Sequence, residues 1–154
     1  MYETILVPTD GSKVAEHAVD HALELAETYG GTVHALYVVD TDAMEVSLNA
    51  EQVDRIDDGE FGELDELEEF AERATEIVTE RAADRGVDVV ERVVGGNPHE
   101  SIAEYAEENG VDVIVMGSHG RSGIRRALLG SVTERVLRTT TVPVLVVDGK
   151  NGKD

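Results

Sequence analysis

Five short apolar runs, at 4–7, 32–39, 87–94, 111–116 and 142–147, alternate with four stretches whose apolar residues recur at helical spacing. That alternation leaves few folds open. Apolar runs with little polar interruption are strands buried on both faces, the habit of parallel sheets. Parallel neighbours cannot be joined by a tight turn; each pair needs a crossover, and the crossover is usually a helix. The pattern predicts one α/β domain, a doubly wound parallel sheet with helices on both faces.

The helical stretches carry their own punctuation. Within 13–29 the apolar positions are Ala15, Ala18, Val19, Ala22, Leu25 and Ala26, and Gly30 with Gly31 stops them. Leu64, Leu67, Phe70, Ala71, Ala74, Ile77, Val78 and Ala82 mark a second, longer helix, closed by Arg85 and Gly86. Asn97, Pro98 and Glu100 form a helix start, with Asn97 as cap, Pro98 at the first position and Glu100 completing a capping box. That helix runs to about Glu108, and a fourth spans 131–138. Segment 40–61 is acidic, interrupted by Asp57, Asp58 and Gly59, and long enough to be a flap over a site or a subunit contact. With no repeat and no linker, 1–148 reads as one domain and 149–154 as a polar tail. Pro143 cannot donate to a ladder, which places the last strand at a sheet edge, where pairing with a second copy would cover it.

Charge excludes several classes of function. Among 154 residues, 33 are acidic and 13 basic, a formal net charge of −20. Such a surface repels nucleic acid and anionic membranes. A hydrophobic content of 41% with clear periodicity argues against the disorder that heavy acidity often signals. Lysine is confined to Lys13, Lys150 and Lys153, and a carboxylate-rich, lysine-poor surface suits a high-salt, halophilic cytoplasm that screens self-repulsion. The absence of cysteine excludes disulfides and thiolate metal sites. No apolar run approaches a membrane span and no signal-peptide pattern opens the chain, so a cytoplasmic location is expected.

After the 111–116 run comes GSHGRSGIRRALLGS, residues 117–131. Glycines let a ligand approach the main chain, and a glycine-rich turn leading into a helix presents amide N–H groups to an anion. No Lys-Ser or Lys-Thr pair follows, so this is not a Walker loop, and the spacing is not that of a dinucleotide fingerprint. The spacing Gly117-x2-Gly120-x9-Gly130-Ser131, with Pro8-Thr9-Asp10 after the first strand, resembles the ATP-binding signature of the universal stress protein family, over nearly the whole chain.

The resemblance implies strand order 3-2-1-4-5 for the five-stranded sheet, so the order reverses between the first and fourth strands. Ligands of open α/β sheets bind beyond such a reversal. It implies that Pro8, Thr9 and Asp10 lie at the end of the first strand, with Asp10 accepting from adenine or ribose and Thr9 contributing its backbone. Val38 and Met116 would wall the base. Gly117, His119, Gly120, Gly130, Ser131, Val132 and Thr133 match the positions that hold ribose and phosphates, and Arg121 is the arginine best placed to reach them. Taken alone, Asp10 is equally a turn or cap residue, Val38 and Met116 are ordinary strand residues, and Ser131 with Glu134 makes a capping box. Local charge favours an anion: between Gly117 and Val147 the one acid is Glu134, whereas Arg121, Arg125, Arg126, Arg135 and Arg138 all fall there.

The histidines carry less. His17 and His21 lie four apart on a helix, a metal-capable spacing with no third ligand in view, and read as solvated. His34 reads as a strand residue, and His99 lies near a helix start. No nucleophile–base or paired-carboxylate arrangement stands out, although Asp10 and Asp40 are nearby acids. The expectation is an ATP-binding, homodimeric switch or stress-response regulator with little or no turnover, its Mg or Mn carried on the phosphates. A slow ATPase or nucleotidyl enzyme, an AMP or cyclic-nucleotide binder and a ligand-free scaffold are the alternatives.

Overall fold

The computed structural model describes residues 1–9, 13–40, 65–118 and 130–148. Five strands, β1 (Thr4–Pro8), β2 (Thr32–Asp40), β3 (Asp88–Gly96), β4 (Val113–Gly117) and β5 (Val144–Val147), form one sheet in the order β3-β2-β1-β4-β5. Every pairing is parallel. Helices α1 (Lys13–Tyr29) and α2 (Asp65–Arg85) cover one face; α3 (Pro98–Glu108) and α4 (Ser131–Thr139) cover the other. The order is the one the resemblance implied, with β1 and β4 at the reversal.

The two-residue period of the strands divides the core. Ile5, Val7, Val33, Ala35, Val113, Val115 and Val147 point toward α1 and α2, whereas Leu6, Leu36, Ile114 and Met116 point toward α3 and α4. On α1 the buried stripe is Ala18, Val19, Ala22, Leu23 and Ala26; Leu23 is fully buried, and Leu25, expected in the stripe, is only partly so.

Strand ends differ from the expected ones for readable reasons. β4 starts at Val113 because Asp112 is spent on a cap: its carboxylate accepts from the Glu3 and Thr4 amides at 2.9 and 3.0 Å, locking the starts of β1 and β4 together. β5 starts after Pro143, whose carbonyl accepts from the Ile114 amide at 2.9 Å. β5 is a sheet edge, as expected. Gly31 is required by close approach, since a Cβ there would strike the Tyr2 carbonyl oxygen. Asn97 caps α3 through its side chain, with Pro98 in the first turn. No helix among the described residues is long and apolar enough to cross a membrane.

Candidate functional site

β1 stops at Pro8, opposite Leu36, but β2 runs on to Asp40. On the other side, Ile5 pairs with Val113 and Leu6 with Ile114, a register that sets Pro8 level with Met116 and Thr9 level with Gly117. Among the described residues this leaves a notch above β1, beside the projecting end of β2 and at the strand-order reversal. Its apolar lining lies on the α3/α4 side. Val38, two residues beyond Leu36 and on the same face, packs into one cluster with Met116 of β4 and Val132 of α4. Three of the residues expected at the site, from three elements, thus border the same apolar cluster.

Thr9 is buried, and its side chain turns the other way. Its hydroxyl reaches the Ala74 carbonyl of α2 at 3.4 Å, and its amide donates to the Leu36 carbonyl at 2.9 Å. Its hydroxyl thus ties the end of β1 to α2. Pro8 is half-buried at the strand end.

The far wall is formed by the end of β4 and the start of α4. The Ser118 amide donates to the Val147 carbonyl of β5 at 2.8 Å, and the Ser118 carbonyl accepts from the Gly130 amide at 2.7 Å. The Thr133 hydroxyl, on a side chain only 3% exposed, donates to the Gly117 carbonyl at 2.8 Å. These bonds fix the start of α4 directly over the end of β4. Ser118 was absent from the expected site; its position immediately after the strand, inside the glycine run, was the available signal.

One expectation is corrected here. Ser131 and Glu134 do not form a capping box: the N-cap is Gly130, in extended conformation and without a side-chain cap bond, and Ser131 is the exposed first helical residue. Glu134 instead pairs with Arg138 one turn on, at 3.0 Å. The amides of Ser131, Val132 and Thr133 have no intrahelical partner by helix geometry, and glycine offers them none. A helix start in this condition suits an anion by both hydrogen bonding and dipole.

Asp10, His119, Gly120 and Arg121 lie outside the described residues, as do Arg125, Arg126 and almost all of segment 40–61. His99 sits in the first turn of α3. His17 and His21 lie on α1, and no group of three His, Cys, Asp or Glu among the described residues could hold a metal. His34 is a strand residue with a partner: its Nδ1 lies 2.8 Å from the Tyr105 hydroxyl of α3. Burial, then the nearby Arg92 guanidinium, pushes the His34 pKa below its ordinary value; burial raises that of Tyr105 despite Arg92.

Comparison with known proteins bears on this geometry. Residues 1–148 match the Universal stress protein family. Universal stress protein MJ0577 of Methanocaldococcus jannaschii is 37% identical over 98% of this chain and 98% of its own length. Its solved structure superposes with a TM-score of 0.78 over 99% of both chains. A second protein of that organism, MJ0531, is 39% identical over 96% of this chain and 82% of its own. A universal stress protein solved in complex with cAMP aligns with a TM-score of 0.65 at 26% identity, covering 97% of this chain and 98% of the other.

Proposed function

The chain belongs to the universal stress protein family, and from that premise we propose that it binds an adenine nucleotide, ATP foremost, in the notch above β1. The observation that carries the reading is that Val38, Met116 and Val132 border one apolar cluster, with Val132 in the first turn of a helix whose N-cap is a glycine without a side-chain cap bond. An adenine ring needs flat apolar walls and a phosphate tail needs free amides, and an apolar cluster ending at a helix start supports both. In this reading the purine lies against Val38 and Met116. Its phosphates meet the amides from Gly130 to Thr133, with Gly117, His119, Gly120 and Arg121 completing the cradle and Asp10 taking the ribose or base. Mg or Mn would arrive on the phosphates, supplying charge neutralisation there.

Binding with little or no turnover fits a site whose described residues offer amides and methyl groups rather than a base and nucleophile. The protein then serves as a cytoplasmic, nucleotide-dependent switch, working as a homodimer through β5. Isothermal titration calorimetry in molar KCl with ATP, ADP, AMP and cAMP tests this. Saturable one-to-one heat with ATP is expected; no heat with any of the four would end it. The relative solved with cAMP favours one second reading, a cyclic-nucleotide protein, and tighter binding of cAMP than of ATP in the same titration would select it.

A further inference from the structure

The hydroxyl of Thr133 stands where a phosphate ligand would be sought, yet it is already committed. A threonine hydroxyl has a single proton to donate, and here it goes to the Gly117 carbonyl at 2.8 Å on a side chain 3% exposed. The neighbouring bond, Gly130 amide to Ser118 carbonyl at 2.7 Å, spans the same gap. Between them they tie the last residue of β4 and the one after it to two points on α4, its cap and its third residue. The Ser118 amide fastens that junction in turn to Val147 of β5.

We infer that Thr133 is a positioning residue for nucleotide binding: its hydroxyl acts on the Gly117 carbonyl, not on the ligand, and so sets the first turn of α4 at the height and angle its amides need. This rests on the nucleotide-binding reading above. Amide–phosphate bonds are short and directional, so a helix start free to tilt presents them poorly. Removing the hydroxyl also takes from the half-buried Gly117 carbonyl the donor it has here.

The test compares wild type with Thr133→Val, which keeps the shape and loses the donor, and with Thr133→Ser, which keeps the donor. Thr133→Ala serves as a second donor-free variant without a methyl pressed on the carbonyl. Each chain is melted without ligand and titrated calorimetrically with ATP. The donor-free variants are expected to melt lower and to bind ATP about tenfold more weakly, with the serine variant close to wild type in both. Lower melting with unchanged affinity would overturn the inference and leave Thr133 merely structural. Weaker binding with unchanged melting would overturn it in favour of a direct phosphate contact. Failure of wild type itself to bind ATP would instead remove the nucleotide reading beneath it.

Discussion

His34 of β2 is an imidazole held against the phenol of Tyr105 on α3. Its Nδ1 shares a hydrogen bond with Tyr105 at 2.8 Å, and burial together with Arg92 depresses its pKa. A base with a depressed folded pKa binds fewer protons folded than unfolded, so stability falls as pH drops below the unfolded value of about 6.5. The fall levels off once pH lies below the folded value. Carboxylates titrate over part of that window, so the diagnostic is a difference: between pH 7.5 and 5, wild type should lose more melting temperature than His34→Gln. Equal losses would mean that protonation of His34 costs the fold nothing. The sequence shows none of this, because partners 71 residues apart leave no local pattern.

At the scale of elements, docking strength follows what holds each junction. The Asp112 carboxylate takes two amides at the common start of β1 and β4. Arg81 of α2 instead reaches the Asp20 and Glu16 carboxylates of α1, at 2.8 and 3.3 Å, with one further bond to the Glu16 carbonyl at 3.3 Å and its side chain 35% exposed. Charge-assisted bonds to backbone contribute about 1.5–3 kcal/mol each, whereas exposed ion pairs contribute about 0–1 kcal/mol and are screened by salt. Asp112→Ala should therefore lower the melting temperature more than Arg81→Gln does, and molar KCl should shrink the second deficit by the larger fraction. The same contrast explains what was legible. Strand and helix identities follow from local pattern, and the unbroken apolar run at 4–7 was enough for β1. Cap positions are set across the chain: Ser131 and Glu134 have capping-box spacing, but the Ser118 carbonyl takes the Gly130 amide and the cap falls one residue earlier. Val38, Met116 and Val132 share a cluster only through the strand order, which came from the resemblance and not from periodicity.

For the whole molecule, the edge strand β5 and the cleft share a junction, since Ser118 bonds to Val147. The bonds from Ile114 to Pro143 and from Ser118 to Val147 turn the odd-numbered residues of β5 toward β4, leaving the amides of Val144 and Val146 directed outward. Leu145 is 39% exposed. If copies pair along this edge, Val146→Pro should give a folded monomer by light scattering, because edge strands accept proline where no ladder bond is lost. A variant that stays dimeric would place the subunit contact elsewhere. The most direct test of nucleotide binding in the notch is the amide spectrum of the labelled chain, recorded by heteronuclear NMR in molar KCl as ATP is added. Binding there predicts saturable shifts gathered at Thr9, Val38, residues 116–118 and residues 130–133. An unchanged spectrum, or shifts centred on α2 and the amino ends of the strands, would contradict it.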